Sequence, residues 1–207
     1  IDMHMKMLDE ETILLAEYPQ GVADGPQIEA NLQYLQNNFN SVYGTPYRIV
    51  RIPSPPSPGG YYPDNGGYYR TYTNSLIINK TIIIPTYYEH YDTTAIRIYQ
   101  EAMPGYKIVG IDCDDNYGPI TASGAIHCIT HEIAAENPLL ISHQRLRDTN
   151  NIWTSYQVDA KIMHKTGINS AFVYYTTDTL QPYQAVSMSL TDPVNNTWTG
   201  YIPVQSS

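Results

Sequence analysis

The residues best suited to covalent chemistry are few: two cysteines, Cys113 and Cys128, and six histidines in a chain of 207 residues. Cys128 lies in "SGAIHCITHEIA", just after a Ser-Gly turn at Ser123 and Gly124 that would expose a thiol. An exposed thiolate attacks electrophilic carbon when an imidazole or another positive charge favours the charged sulfur. His127 is adjacent, but neighbouring side chains on a strand point to opposite faces, which makes it a poor general base. From spacing alone other roles stay open for Cys128. It could be a small core residue, or pair with Cys113 in a disulfide if the protein is exported. A zinc site on His127, His131 and His143 is disfavoured. "HEIAA" lacks the second histidine of H-E-x-x-H, and on a strand residues four apart are ~13 Å from one another. Asp2 and His4 share one face of an opening strand whose other face carries methionines; alone, Asp2 reads as a solvated residue.

These residues need elements to position them, and the first two thirds of the chain hold a unit that occurs twice. The first copy opens with "IDMHMKML", where Met3, Met5 and Met7 alternate with polar residues as in a half-buried strand. A turn at Asp9 to Glu11 leads into the apolar strand "TILLAEY". Asp24 and Gln27 then resemble a capping box, with Pro26 in the first helical turn. Ile28, Leu32, Leu35, Phe39 and Val42 fall at helical spacing, and Gly44 ends the helix before the strand "YRIVRIP". The second copy runs "YRTYTNSLII", a turn at Asn79 and Lys80, "TIIIPTYY", a helix over about Tyr91 to Met103, and "YKIVGIDC". Both copies read strand–strand–helix–strand, separated by the Pro/Gly loop "PSPPSPGGYYPDNGG". A third copy is expected to begin at "GAIHCITHEI" and continue through "PLLISHQRL", without its helix. Asp2, Asn74 and Cys128 would then occupy equivalent strand openings, and repeats around an axis would bring such openings to one pocket.

After about Arg147 the pattern changes to short strands: "YQVDAKIMHK", "SAFVYYTT", "YQAVSMSL" and "TWTGYIPV". The polar stretch "RDTNN", Arg147 to Asn151, marks the expected boundary. Residues 148–207 read as part of a β-sandwich, being fewer than the ~100 residues of a complete one. The opening residues already alternate like a strand, so the chain reads as a piece of a longer protein. Twenty tyrosines against two phenylalanines and two tryptophans suit half-buried strands and wet binding surfaces. A net charge of −9 disfavours nucleic acid as a partner and suits a cationic substrate. No window approaches the ~18 apolar residues of a membrane span.

"GAIHCIT" resembles the cysteine motif of the agmatine deiminase and bacterial, Porphyromonas-type, peptidylarginine deiminase family. "RTYTNSLIINKTIIIPTY" and "EAMPGYKIVGID" are similar to that family's middle segment, so the resemblance covers residues 1–147. It implies an α/β fold of the pentein type, with ββαβ modules around a central site. Residues 1–147 would be the C-terminal part of such a catalytic domain, and residues 148–207 part of an immunoglobulin-like β-sandwich. The resemblance also implies a site. Cys128 matches the nucleophile, Asp2 matches the aspartate of a His-x-Asp motif that holds the guanidinium, and Asn74 matches a pocket asparagine. The histidine of that motif would stand immediately before Ile1. The implied reaction is hydrolytic deimination of arginine in peptides or proteins, giving citrulline and ammonia through a thiouronium intermediate. No metal or organic cofactor is implied. An immunoglobulin-like segment implies an exported, secreted or surface, enzyme. The runner-up is a cytoplasmic agmatine deiminase giving N-carbamoylputrescine. A non-catalytic surface or binding module is the third reading, and the 207 residues by themselves are expected to be inactive.

Overall fold

The computed structural model describes residues 3–114, 124–130, 137–144 and 146–204. The chain divides into two compact units, Ile1–Ala134 and Ala135–Ser207. The first unit contains both predicted copies. β1 (Met5–Met7), β2 (Thr12–Glu17), helix α1 (Gly25–Asn38) and β3 (Arg48–Pro53) form the first. β4 (Leu76–Ile78), β5 (Thr81–Thr86), helix α2 (Glu89–Ala102) and β6 (Lys107–Asp112) form the second. Each makes a three-stranded sheet in which the first two strands are antiparallel and the last two parallel. The copies even share register: Thr12 faces Arg48 and Thr81 faces Lys107, each the first of six pairs that run in step. The two complete ββαβ copies expected from the sequence are both present.

The middle strand of each sheet carries the core. A central strand beside a parallel neighbour is covered on both faces and reads as a continuous apolar run. Ile13, Leu14 and Leu15 of β2 and Ile82 and Ile84 of β5 are accordingly inaccessible to solvent. Leu14 and Ile52 of the first copy pack in one cluster with Ile82, Ile84, Ala95 and Tyr99 of the second, so the copies share a core. The hairpin between β4 and β5 turns on Asn79 and Lys80, both left-handed with φ of 46° and 61°, as a two-residue turn between twisted strands requires.

Local details depart from the sequence reading. Asp24 does not cap α1 with its side chain; its carboxylate accepts the Tyr69 hydroxyl at 2.7 Å instead. The helix stops at Asn38, whose side-chain amide donates to the Tyr34 carbonyl, and Phe39 is extended. Phe39 and Val42 therefore lie beyond the helix and are exposed, while Ile28 and Leu32 are buried. Gly44 takes φ +80° in a separate turn closed by Ser41 and Thr45. Helix α2 starts at Glu89, two residues before the expected start. Asp92 in its first turn accepts the Tyr87 N–H at 2.9 and 3.0 Å and the Tyr72 hydroxyl at 2.8 Å.

Among the described residues the third copy is not formed. His127–Ile129 makes a short 3₁₀ turn rather than a strand. β7 (Leu140–His143), assigned to that copy from sequence, pairs antiparallel with β8 (Tyr156–Met163) in the second unit. The division between units therefore falls at Ala134 and Ala135, before the Arg147 to Asn151 stretch. The second unit adds β9 (Ala171–Tyr175), β10 (Gln184–Asp192) and β11 (Thr197–Ile202) in one antiparallel sheet of order β7-β8-β11-β10-β9. Val158, Ala160, Ile162, Ala171 and Met188 cluster on one face of it. All four strands expected after residue 147 are found. They make a single sheet among the described residues, where a sandwich has two.

Candidate active site

The segment Arg70 to Ser75 precedes β4 without regular structure of its own. Every one of its six residues is nonetheless buried, at 1% exposure or less. Buried polar groups are costly unless hydrogen-bonded, so such a run must be wired to its surroundings. The Arg70 guanidinium donates to the Pro56 carbonyl at 3.0 Å and the Tyr68 hydroxyl at 3.2 Å. It lies 5.4, 5.0 and 4.5 Å from the ring centres of Tyr68, Tyr87 and Tyr88 and pairs with Asp114. Cation–π contact of this kind strengthens when the cation is desolvated. The Thr71 hydroxyl donates to the Met3 carbonyl at 2.7 Å, and the Tyr87 hydroxyl bridges the Thr71 backbone. Tyr72 reaches Asp92, and the Tyr99 hydroxyl bonds both the Tyr72 carbonyl at 2.7 Å and Ser75 Oγ at 2.8 Å. Burial pushes the Tyr72, Tyr87 and Tyr99 hydroxyls far above the usual tyrosine range, which keeps them neutral.

Asn74 is what this wiring holds. Its Oδ1 accepts the N–H of Ala125 at 3.0 Å, of His127 at 2.9 Å and of Cys128 at 3.4 Å. The chain around residues 125–128 is thus wrapped about one side-chain oxygen. That is why "GAIHC" turns instead of pairing: N–H groups a neighbouring strand would take are given to Asn74. Ala125 and Ile126 anchor the turn in the core, while Cys128 and Ile129 are exposed. Gly124 leaves room for the sulfur; a Cβ there would stand 3.0 Å from Cys128 Sγ. Asn74 Nδ2 donates to Cys128 Sγ at 3.0 Å. A donor aimed at sulfur stabilises negative charge on it.

Two of the three predicted site residues, Asn74 and Cys128, are therefore in direct contact, although Cys128 sits on a turn and not at a strand opening. Asp2 lies outside the described residues; the residue after it, Met3, is the one whose carbonyl Thr71 binds. The argument against His127 from alternating strand faces does not apply on a 3₁₀ turn. Cys113 is buried and Cys128 is exposed. Of the zinc candidates, His131 lies outside the described residues and His143 is in the second unit. Among the described residues no group of three His, Cys, Asp or Glu side chains could hold a metal. No described helix is long and apolar enough to cross a membrane. Sequence reasoning missed Arg70, Tyr99 and Asp92 as supports of the site. The only hint was the density of polar and aromatic residues in "RTYTNS", which reads from sequence as a plain strand.

The described arrangement offers an exposed thiol beside a buried amide donor, with its backbone fixed by the same amide. That is suited to covalent attack on an electrophilic carbon. Comparison with known proteins bears on which kind. A protein of Legionella pneumophila (strain Paris) named as an agmatine deiminase is 28% identical over 111 residues, covering 50% of this chain and 30% of its own length. One of Vibrio parahaemolyticus, likewise named, is 40% identical over 65 residues, covering 31% of this chain and 17% of its own. A crystal structure described as an arginine deiminase from Porphyromonas gingivalis superposes with a TM-score of 0.51 at 29% identity, over 62% of this chain and 36% of that one. The chain thus spans about a third or less of the length of these relatives. The model of the Porphyromonas-type peptidyl-arginine deiminase family matches residues 1–134, the whole of the first unit. The two ββαβ copies are modules of a pentein-type α/β fold, and the chain belongs to the Porphyromonas-type peptidyl-arginine deiminase family.

Proposed function

We propose that these residues contribute the nucleophile and a pocket wall to an enzyme that hydrolyses the guanidino group of arginine in peptides or proteins, giving citrulline and ammonia. The observation that carries the reading is the 3.0 Å contact of buried Asn74 Nδ2 with exposed Cys128 Sγ. In the reaction, Cys128 sulfur bonds the guanidinium carbon to give a tetrahedral adduct. Its collapse breaks a C–N bond, and the nitrogen leaves as ammonia after taking a proton. Water then adds to the thiouronium carbon, the C–S bond breaks, and the ureido product leaves with the thiol restored. Asn74 holds the attacking sulfur throughout. Asp2 is assigned to the guanidinium, where a carboxylate oxygen matches its N–H donors. No residue of this chain is assigned to the proton transfers.

Agmatine as substrate, with N-carbamoylputrescine as product, is the second reading; the names of the relatives favour it. We further propose export for the peptide-specific reading, supported by the all-antiparallel sheet of the second unit, and a cytoplasmic enzyme for the agmatine reading. Ammonia release by the full gene product carrying these residues, from a peptidyl-arginine and from agmatine, decides between substrates. Cys128→Ala is expected to reduce the preferred activity by about 10³-fold or more. Full activity in that variant would sink the reading. The 207 residues alone are expected to turn over neither substrate.

A further inference from the structure

Tyr99 belongs to helix α2, far in sequence from Asn74 and Cys128, and is wholly inaccessible to solvent. Its ring packs in the shared core, a task phenylalanine would perform equally well. Its hydroxyl does something else. The Tyr72 carbonyl can only accept, so the tyrosine proton goes there, at 2.7 Å. The same oxygen also meets Ser75 Oγ, at 2.8 Å. The two partners stand on either side of Asn74, at residues 72 and 75. Thr73 and Asn74 form the bridge between two points tied to one atom. The backbone of this stretch makes no strand ladder, because β4 begins only at Leu76. Its course is set by such contacts.

We propose that the Tyr99 hydroxyl is a positioning group for the candidate nucleophile, acting through Asn74. The inference rests on the reading of Cys128 as the attacking thiol. Fixing residues 72 and 75 fixes the Asn74 backbone between them, and so the direction of its amide. Asn74 needs a set direction more than most residues, because both ends of that amide are in use. Oδ1 gathers three backbone N–H groups and Nδ2 meets the sulfur. A small rotation would weaken the turn and the sulfur contact together. Tyr99 touches neither substrate nor sulfur; it is a positioning residue and not a catalytic one.

Alkylation by iodoacetamide provides a readout that needs no turnover, since Cys128 is exposed while Cys113 is buried. Tyr99→Phe keeps the ring and removes the hydroxyl. Cys128 is expected to alkylate about 3- to 10-fold more slowly in Tyr99→Phe than in the natural protein, with Cys113 still protected. Ser75→Ala, which cuts one of the two ties and spares the core, should slow it by a smaller factor. Asn74→Asp removes the donor to sulfur, so adding Tyr99→Phe to Asn74→Asp should slow alkylation no further. In the full gene product Tyr99→Phe should lower kcat for the preferred guanidino substrate about as much, with KM within about twofold. Equal alkylation rates in the natural protein, Tyr99→Phe and Ser75→Ala would overturn the proposal, as would full additivity with Asn74→Asp. If the natural gene product released no ammonia from any guanidino compound, the functional reading would fail instead. The alkylation comparison would still decide whether Tyr99 acts through Asn74.

Discussion

Asn74 divides one buried amide between two tasks, and the two can be separated by substitution. Aspartate is nearly isosteric and keeps an oxygen to accept the N–H groups of Ala125, His127 and Cys128. It has no N–H to give the sulfur, and it adds a like charge beside a thiolate. Asn74→Asp should therefore slow Cys128 alkylation roughly tenfold or more, while melting closer to the natural protein than Asn74→Ala does. In the alanine variant buried N–H groups lose their acceptor, at a cost of about 1–3 kcal/mol for each group left unsatisfied. Comparing labelling rates and Tm across the two variants checks both halves. A second residue makes a pH prediction. His4 is half-buried against the edges of Tyr18 and Tyr69, with ring centres 6.0 Å away, and its Nδ1 has no hydrogen-bond partner among the described residues. Burial holds its pKa below the ordinary 6.5, with Asp24 opposing in part. A histidine depressed in the fold takes up protons more readily when unfolded, so its contribution is present above pH ~6.5 and lost as pH falls below it. Melting at pH 7.5 and at pH 5.5 should show a drop in Tm that shrinks in His4→Gln. An unchanged drop would assign the effect elsewhere.

Elements meet around the segment Arg70 to Ser75, and Asp92 is the joint between it and helix α2. Its carboxylate takes the Tyr87 N–H near the helix start and the Tyr72 hydroxyl from the segment. Hydrogen bonds to a charged acceptor are among the stronger ones, and a carboxylate in the first helical turn also suits the dipole. Asp92→Ala leaves the Tyr72 hydroxyl buried without its partner. It should destabilise the first unit by about 2–3 kcal/mol, read as a lower denaturation midpoint. Asp92→Asn, which keeps an acceptor, should recover part of the loss. This element-scale architecture was only half legible in the sequence. The ββαβ repeat showed plainly because β2 and β5 are apolar runs with matching strands and helices around them, a periodicity that needs no partner to be recognised. "RTYTNS" read as strand because its β-branched and aromatic residues have strand propensity. Its side chains instead take up tertiary hydrogen bonds, and no local rule anticipates those. "GAIHC" misled for the same reason: its strand-like residues are bent into a turn by an acceptor about fifty residues away.

At the scale of the molecule, Asn74 and Cys128 meet across about fifty residues of chain, and β7, expected in the third copy, pairs with β8 instead. A strand's side is decided by what it pairs with, and nothing in "PLLISHQRL" distinguishes a partner in the first unit from β8 in the second. The same global folding gives the two cysteines opposite environments. Cys113 follows β6 and belongs to the shared core of both ββαβ copies, with 1% of its surface accessible. Cys128 is held at the surface by the turn that Asn74 organises. A thiol in the core reacts only when that core opens, at a rate limited by the population of the open state. Native protein should therefore take up one equivalent of a thiol reagent within the labelling time, at Cys128, and two in denaturant. The second equivalent should appear along the same denaturant curve as the loss of secondary structure in the first unit. Because the two copies share one core, Asp92→Ala should bring the Cys113 reaction to lower denaturant while leaving the native stoichiometry at one. Uptake of two equivalents by the folded protein would contradict the burial of Cys113. Uptake of none would contradict the exposure on which the candidate nucleophile depends.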